Sequence, residues 1–307
     1  MKIYIPPVNE SWVVDRFREE WIDNNPALTT DSIEEADIIW IIAPWVWKRI
    51  SKKYLKKKVV VCTIHHLEEN DYLGSGLRDF NKRDNFVNHY HVISKKTFNQ
   101  ISGLTNKDIT NIPFWVNNNI WFDIGNKKKL REKFGISETE FTVGSFQRDT
   151  EGKDLVSPKL IKGPDRFITI TDDLNSKHDN LTVILTGKRR QYVITELEKL
   201  NIKYMYFEMA DFKMMNQLYN ILDLYIVASR VEGGPQAIVE CGLSRTPIIS
   251  TDVGIATEIL DNESVFNMDN FQLAKPNIDE AFKNSLKFTI PRGFKSYVEL
   301  FNSLVIN

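Results

Sequence analysis

The sequence predicts an α/β protein with two doubly wound parallel sheets in tandem. The chain has 307 residues, which is enough for two domains of ordinary size. Hydrophobic residues make up 42% of it and charged residues 26%, a composition typical of globular domains in water. Short apolar runs alternate with amphipathic stretches along both halves of the chain. This alternation predicts parallel strands joined by crossover helices.

The first half of the chain contains several segments with strand or helix patterns. The clearest strand is ADIIWIIAP, because an uninterrupted apolar run is typical of a strand buried on both faces. The other predicted strands are MKIYIP, KVVVCTIHH and YHVIS. The predicted helices are Trp12 to Asn24, the strongly basic WVWKRISKKYLKKK at residues 45–58, and KKTFNQI. The segment TNIPFWVN closes this half.

The second half repeats the same alternation. Its predicted strands are EFTVGSF, LTVILTG, IKYMYFE, DLYIVAS and TPIIST. Its predicted helices are GPDRFITITDDL, QYVITELEKL, DFKMMNQLYNIL, a helix from Pro235 to about Leu243, and RGFKSYVELFNSLVI. The polar segment from Gly125 to Lys129 is the best candidate linker. We therefore expect domains at residues 1–124 and 125–287, followed by a final helical segment at 288–307.

Charge, cysteine content and the chain start exclude several classes of protein. The formal net charge is −1, so no global field favours a nucleic-acid partner. Cys62 and Cys241 have no partner at metal-ligand spacing and suggest no disulfide framework, which fits a reducing cytosol. The N-terminal MKIYIPPVNE lacks the regions of a signal peptide, and the longest apolar run, Ile38 to Trp47, is too short to span a bilayer. We therefore expect a cytoplasmic protein.

The stretch VEGGPQAIVECG at residues 231–242 directly follows the predicted strand DLYIVAS. Open α/β sheets bind ligands at the carboxyl ends of their strands, so its position favours a binding site. Proline suits the first position of a helix because it needs no N–H there. The unpaired amides of the next turn, together with the positive end of the helix dipole, then form an anion site.

Two glutamates flank this predicted helix start. Glu232 lies just before it and Glu240 lies inside it. Their separation of eight residues spans ~12 Å if helical, about the distance from the sugar to the ribose of a nucleotide sugar. A carboxylate is a good acceptor for the hydroxyl groups of either ring. Purely structural interpretations stay open, since helix glutamates are usually solvated and glycines often only form turns.

Several motifs together carry a resemblance to a known family. EGGPQAIVE resembles the E-x7-E signature of retaining glycosyltransferases of the GT-B fold, family four (glycosyl transferases group one). CGLSRTPIISTDVG is similar to that family's small-residue helix, its G-x-P turn and its strand ending in a second glycine. VGSFQR and KGPDRF resemble its strand-plus-arginine and lysine–glycine elements, and CTIHH resembles the histidine-ended strand of its N-terminal domain.

The resemblance implies two Rossmann-like domains that face each other across a cleft, with a shortened N-terminal domain and a final helix that packs back on it. The nucleotide-sugar donor would bind to the C-terminal domain. Glu240 would hold the ribose and Glu232 the transferred sugar, while Gly233 and Gly234 would let the backbone approach the sugar and diphosphate. The remaining donor-binding residues implied in this way are Gly144, Thr186, Gly187 and Pro235.

The resemblance also implies the charged groups of the reaction. Arg148 and Lys162 would neutralise the departing diphosphate, and His65 would project from the N-terminal domain toward the sugar. Family members usually place the lysine about five residues after the arginine, which fits Lys153, but Lys162 has the following glycine and helix. We favour Lys162 and treat residues 149–161 as an insertion. Adjacent residues of a strand point to opposite faces, so either His65 or His66 would reach the site.

The implied activity is the transfer of a hexose from a nucleotide diphosphate sugar to a hydroxyl of a glycan or lipid-linked glycan, with retention. The chain has no D-x-D motif, so we expect no metal, and no cofactor besides the donor substrate. The alternatives are a nucleotide-sugar epimerase, a phosphorylase, or a binding protein that lost catalysis. One departure from the family concerns the loop after the first strand, where PPVNES replaces a glycine-rich sequence.

The basic segment at residues 45–58 has two interpretations. Trp47, Ile50, Tyr54 and Leu55 fall near one face of the predicted helix, and lysines and Arg49 surround them. The helix could pack on the sheet with a solvated basic back, as crossover helices do. It could instead contact anionic lipid, where each basic residue adds about 1 kcal/mol.

Overall fold

The chain divides into two compact units, Met1–Trp115 with Ile290–Asn307 and Val116–Thr289. The computed structural model describes residues 1–10 and 13–305, without the side chains of residues 69 and 70. Both units are parallel-sheet α/β structures, so the predicted fold class is confirmed. The second unit begins before the boundary predicted at Gly125. Its first residue, Val116, donates its amide to the Phe288 carbonyl oxygen at 2.9 Å, and Trp121 is fully buried in its core.

The first unit contains a parallel sheet whose strands keep their chain order. The strands are β1 (Ile3–Tyr4), β2 (Ile38–Ile41), β3 (Val59–Ile64), β4 (His89–Val92) and β5 (Asp108–Asn111). The helices before residue 115 are α1 (Val13–Asn24), α2 (Lys52–Leu55), α3 (Gly74–Asp84) and α4 (Lys95–Ile101). The order in the sheet is β1-β2-β3-β4-β5. Among the described strands the order does not reverse, so this sheet lacks the switch point that opens a ligand crevice.

The second unit contains a parallel sheet whose strand order reverses. Its strands are β6 (Phe141–Ser145), β7 (Leu181–Thr186), β8 (Lys203–Phe207), β9 (Leu224–Val227), β10 (Ile248–Thr251) and β11 (Val265–Phe266). Its helices are α5 (Lys127–Lys133), α6 (Pro164–Asn175), α7 (Gln191–Lys199), α8 (Phe212–Ile221), α9 (Gln236–Leu243), α10 (Ala256–Ile259) and α11 (Ile278–Ser285). The order is β11-β10-β9-β6-β7-β8, so the chain leaves β6 toward β7 and returns to its other side at β9.

The last helix, α12 (Lys295–Val305), belongs to the first unit. An aromatic cluster joins it to the sheet: Phe301 of α12 lies 5.1 Å from Trp40 of β2 and 5.6 Å from Trp21 of α1, measured between ring centroids. Trp21 and Trp40 are themselves in edge contact at 5.3 Å. Large aromatic rings bury much apolar surface each, so these contacts contribute strongly to the stability of this unit.

A buried polar chain crosses the same core. Trp40 Nε1 donates to Thr63 Oγ1 at 2.9 Å, and His91 Nε2 lies 2.7 Å from the Ile112 carbonyl oxygen. A carbonyl only accepts, so Nε2 carries the proton, and Thr63 Oγ1 donates to Nδ1 at 2.9 Å. Burial lowers the pKa of His91 to about 3, and the neutral ring satisfies each partner.

The basic segment at residues 45–58 is not the continuous helix predicted. It forms a 3₁₀ helix, Pro44–Arg49, and then the single turn of α2, with extended backbone at Ile50 and Ser51 between them. The apolar side chains explain the break. Trp47, Ile50 and Leu55 are all buried in the core of the first unit, which one straight helix would not allow.

The segment predicted as the linker largely belongs to helix α5. The side chain of Asn126 caps this helix by accepting from the Lys129 amide at 3.1 Å. Arg131 is buried, donates to the Ile221 carbonyl oxygen at 3.1 Å and forms an ion pair with Asp223. These contacts fix α5 against the amino-terminal end of the second sheet.

Candidate functional site

The second sheet reverses its strand order between β6 and β9. The loops that follow these two strands diverge from their carboxyl ends, and such a switch point is where open α/β sheets bind ligands. The loop after β6 begins at Phe146 and the loop after β9 at Ala228. Helix α9 starts shortly afterward, at Gln236, so its first amides lie at the same edge of the sheet.

An ion pair joins the loop after β9 to the start of α6. Lys162 Nζ lies 2.5 Å from Glu232 Oε1, and the Glu232 side chain is only 11% exposed. Ser229 Oγ donates to the same carboxylate oxygen at 3.1 Å, and Gln147 Nε2 donates to the Lys162 carbonyl oxygen at 2.8 Å. The structure thus brings together two predicted site residues and ties them to the ends of both β6 and β9.

Glycines permit close backbone approach around this pair. Gly163 has φ 63°, and a Cβ there would lie 1.9 Å from the Ala228 carbonyl oxygen. Gly254 has φ 50°, and a Cβ there would lie 2.2 Å from the carbonyl oxygen of Gly233. Any side chain would push these segments apart, so both positions require glycine. Gly233 is buried and Gly234 half-buried in the loop that carries Glu232.

Glu240 lies within α9 and is 5% exposed. The hydroxyl of Tyr219, itself 1% exposed on α8, donates to Glu240 Oε2 at 2.9 Å. Burial, together with the nearby carboxylate, raises the pKa of Tyr219 well above its usual range, so the hydroxyl stays protonated and keeps donating. Pro235 occupies the cap position of α9, one residue before the first helical position predicted for it. The sequence predicts the functional glutamate but gives no sign that Tyr219 is its hydrogen-bond partner.

Arg190 is a buried charged residue that the sequence does not single out. It is 1% exposed, and its Nε donates to Asp149 Oδ2 at 2.8 Å. Its Nη1 also donates to the carbonyl oxygens of Ser145 and Thr186, the last residues of β6 and β7. One guanidinium therefore fixes both ends of the short loop that carries Arg148. The only local signal is the basic run GKRR after β7, in which nothing marks the buried member.

The two lysines and the arginine considered for the diphosphate occupy different surroundings. Arg148 is exposed in the loop after β6. Lys153 is exposed in a loop that closes on itself, since Thr150 and Pro158 form an antiparallel bridge and the loop does not continue the sheet. Lys162 lies beyond this loop, at the end of the segment interpreted as an insertion, and pairs with Glu232.

Three further predicted donor-binding residues lie along β6 and β7. Gly144 is packed inside the sheet, where a Cβ would lie 2.3 Å from Leu222 Cδ1, so a packing requirement accounts for this glycine. Thr186 is buried and its Oγ1 donates to the Phe207 carbonyl oxygen at 2.6 Å. Gly187 follows with φ 86°, a conformation that favours glycine, and redirects the chain at the carboxyl end of β7.

His65 lies in the first unit, directly after β3. Its Nε2 donates to the Ile42 carbonyl oxygen at 2.9 Å, and its ring stacks on Phe114 with centroids 5.7 Å apart. Desolvation lowers the pKa of His65 to about 4, so the ring is neutral near pH 7. His66 lies 3.7 Å from Glu68. The structure therefore gives His65 a fixed tautomer and orientation.

The described part of the chain has neither a cluster of metal ligands nor a membrane-spanning helix. Within residues 1–10 and 13–305, no three His, Cys, Asp or Glu side chains group in a way that could hold a metal ion. Over the same residues, no helix is both long and apolar enough to cross a bilayer.

Comparison with known proteins identifies the family. The model of the family described as glycosyl transferases group 1 matches residues 126–290. HepE from Anabaena, crystallised with UDP and glucose, is similar in structure with a TM-score of 0.76 and 14% identity, over 99% of this chain and 100% of that chain. No curated protein sequence matches.

Two further solved structures share the fold. Sucrose-phosphate synthase from Thermosynechococcus elongatus has a TM-score of 0.72 and 12% identity, over 96% of this chain and 77% of that chain. A glycosyltransferase from Rickettsia africae has a TM-score of 0.72 and 15% identity, over 99% and 98%. The family match covers more than half of the chain and includes the whole β6–β9 edge with Lys162, Glu232 and Glu240. The protein therefore belongs to the glycosyl transferases group 1 family.

Proposed function

We propose that the protein transfers a hexose from a nucleotide diphosphate sugar to a hydroxyl group of a glycan or lipid-linked glycan. The observation that carries the proposal is the Lys162–Glu232 pair, which lies at the strand-order reversal beside the start of α9. A cation, a carboxylate and helix amides at one edge suit a ligand that has both phosphates and sugar hydroxyls. UDP-sugars are the first donors to test, because the HepE structure contains UDP and glucose.

Glu240 would accept hydrogen bonds from the ribose hydroxyls. Its Oε2 is oriented by Tyr219, and the two oxygens of a carboxylate together offer about four acceptor positions. Glu232 would accept from hydroxyls of the transferred hexose in the same way. Its position is set by Lys162 and Ser229, so the carboxylate is held before the sugar arrives.

Arg148, Lys162 and the first amides of α9 would stabilise the departing diphosphate. An ammonium has three N–H donors, so the bond from Lys162 to Glu232 leaves donors for a phosphate oxygen. Charge develops on the leaving group in the transition state, and fixed donors aimed at it lower the barrier. Removing one such donor typically costs ~3 kcal/mol, or about a hundredfold in rate.

The proposed reaction keeps the anomeric configuration and uses no metal or cofactor. The bond from the anomeric carbon to the phosphate oxygen breaks as the acceptor oxygen bonds to the same carbon from the same face. The departing phosphate oxygen takes the acceptor proton, so no protein base is required. His65 is neutral and held by the Ile42 carbonyl oxygen, which suits a positioning role toward the sugar.

A peripheral membrane contact through residues 45–58 is proposed only as an electrostatic one. The apolar side chains that would enter a bilayer, Trp47, Ile50 and Leu55, are buried in the first unit. The exposed residues of the segment are mostly lysines, which anionic lipid would attract. Flotation with anionic and neutral liposomes at low salt tests the contact, and equal recovery from both would remove it.

The decisive experiment measures UDP release from UDP-glucose and related UDP-sugars, with and without a panel of glycan acceptors. We expect release that depends on the acceptor, and loss of release in Glu232→Gln. Donor turnover without any acceptor would indicate an epimerase or hydrolase. Binding of a nucleoside diphosphate with no turnover of any donor would indicate a binding protein. Absence of binding to UDP-, ADP-, GDP- and CDP-sugars alike would overturn the proposal.

A further inference from the structure

The loops after the first three strands of the first unit converge at one edge of its sheet. Because β1, β2 and β3 are parallel neighbours, their carboxyl ends lie side by side. The loop after β1 carries Glu10, the one after β2 carries Trp45, and the one after β3 carries His65. The Trp45 and His65 ring centroids are 6.3 Å apart. This edge includes residues 6–10, the described part of the PPVNES segment that stands where the family has a glycine-rich loop.

Trp45 and Glu10 form a hydrogen-bonded pair at this edge. The Trp45 ring is 38% exposed, and its Nε1 donates to Glu10 Oε1 at 2.8 Å. The Arg49 guanidinium lies 3.9 Å from the same carboxylate oxygen, and both charged side chains are well exposed, at 54% for Arg49 and 41% for Glu10. The indole therefore keeps a fixed orientation while part of its ring and both charged groups face solvent.

Hydrogen bonds to Asp15 and from Arg49 hold the loop that carries Glu10 in place. The amides of Asn9 and Glu10 both donate to the Asp15 carboxylate at 2.9 Å, and Arg49 Nη1 donates to the Val8 carbonyl oxygen at 2.9 Å. Asn9 adopts a left-handed backbone with φ 59°, which asparagine tolerates better than most residues. These contacts fix the carboxylate before any ligand binds, which reduces the entropy cost of binding.

The combination of groups matches a sugar ring. A pyranose presents C–H bonds on its faces and hydroxyl groups around its rim. An amphipathic indole suits the C–H face, the Glu10 carboxylate has lone pairs left for hydroxyl donors, and Arg49 has N–H groups left for hydroxyl oxygens. A phosphate headgroup would meet the negative charge of Glu10, and an acyl chain would leave both charged groups without a role.

We propose that Trp45, Glu10 and Arg49 form a carbohydrate subsite on the first unit, which binds a pyranose ring of the acceptor. The assignment of the bound sugar as an acceptor rests on the proposed glycosyl transfer, whereas the binding of a pyranose ring does not depend on it. Recognition of one acceptor ring is thus assigned to these three side chains.

Saturation-transfer NMR on the full-length protein tests the subsite with methyl glucosides, methyl galactosides and methyl N-acetylglucosaminides as probes. We expect saturation of ring C–H protons in at least one probe. Trp45→Ala should weaken its binding about tenfold or more, since stacking and buried area both disappear. Glu10→Gln should weaken it about fivefold through the lost charge-assisted hydrogen bond.

Phe98→Ala is the matched control, because Phe98 is an aromatic residue of the same unit with 37% exposure. It should bind the probe as the wild type does. The proposal is overturned if no pyranoside binds, if Trp45→Ala binds as tightly as the wild type, or if glycerol phosphate or an octyl-chain probe depends on Trp45 instead. Titrations of the same samples with UDP, ADP and GDP separate the two proposals. If a pyranoside binds and none of these nucleotides does, the result contradicts the donor function and supports this subsite.

Discussion

The carboxyl-end edges of the two sheets are built from different chemistry. In the second unit, paired charges hold the loops: Arg190 with Asp149, and Lys162 with Glu232. In the first unit, the corresponding edge has aromatic rings, the neutral His65 and one charge pair, Glu10 with Arg49, that is well exposed. The difference follows the strand order, since only the second sheet, among the described residues, reverses and opens a crevice. Largely buried charge pairs are therefore found at the edge where an anionic ligand would bind.

The largest expected effect is on the buried pair of the second unit. Arg190→Gln should lower the free energy of unfolding by about 3–5 kcal/mol, because it leaves the Asp149 carboxylate buried without its cation. Denaturant unfolding gives this value. Arg245→Gln is the control, since the Arg245–Asp279 pair is exposed and worth no more than about 1 kcal/mol. Equal losses in both variants would show that burial of the first pair does not matter.

The next effect concerns turnover. Lys162→Ala should reduce kcat with UDP-sugars about a hundredfold, because it removes a donor to the leaving diphosphate and releases Glu232. Lys153→Ala, on the exposed closed loop, should change kcat less than about twofold, as surface changes usually do. Initial-rate measurements on both variants decide which lysine serves the diphosphate. A larger loss in Lys153→Ala would reverse the assignment.

Acid should destabilise the first unit before the second. His65 and His91 have pKa values of about 4 and about 3, below their usual 6.5, so the unfolded chain takes up their protons first. Stability then falls from about pH 6.5 downward, by about 1.4 kcal/mol per pH unit for each histidine.

In the second unit, burial by itself would raise the pKa of Glu140, but hydrogen bonds from Thr182, the Ser137 amide and Lys203 together outweigh it and lower this pKa to about 2. A lowered carboxyl pKa gives stability that is lost only as pH falls from about 4.5 toward about 2. Hydrogen exchange of β2–β4 and β6–β7 amides between pH 7 and pH 4.5 compares the units. Parallel loss of protection would refute the expected order.

The smallest effect is on nucleotide affinity. Glu240→Ala should weaken UDP binding about tenfold, since a hydrogen bond to a charged group contributes roughly 1.5–3 kcal/mol. Tyr219→Phe should weaken it about fivefold by freeing the carboxylate to reorient. Calorimetry on the double variant is the control, because Tyr219→Phe should add nothing once Glu240 is absent. Additive losses would mean that the tyrosine acts elsewhere.

The sequence predicts much of this fold because buried strands are continuous apolar runs. ADIIWIIAP and LTVILTG coincide with β2 and β7 for that reason. The basic segment at 45–58 is predicted less well. Its helical pattern is interrupted because Trp47, Ile50 and Leu55 are all buried in the core, and the sequence does not show which core positions they fill. Strand order, which distinguishes the two units, has no local signal at all.

The residues of the candidate site are likewise predictable from the sequence only in part. A glutamate after a strand and another inside the next helix are visible in EGGPQAIVE. Arg190 and Tyr219 cannot be recognised in this way, because their partners Asp149 and Glu240 lie 41 and 21 residues away along the chain. In the sequence, Arg190 is one member of a basic run and Tyr219 one residue of a helix, and nothing shows that either is buried. The Glu10–Trp45 bond, across 35 residues, is invisible for the same reason.

Hydrogen exchange with and without UDP, in excess EDTA, tests the central claim that the strand-order reversal of the second sheet binds the donor nucleotide without metal. The account predicts protection in the loops after β6 and β9 and in the first turns of α9, with the largest change between residues 228 and 240. Unchanged exchange there, or protection that appears only when magnesium is restored, would contradict it.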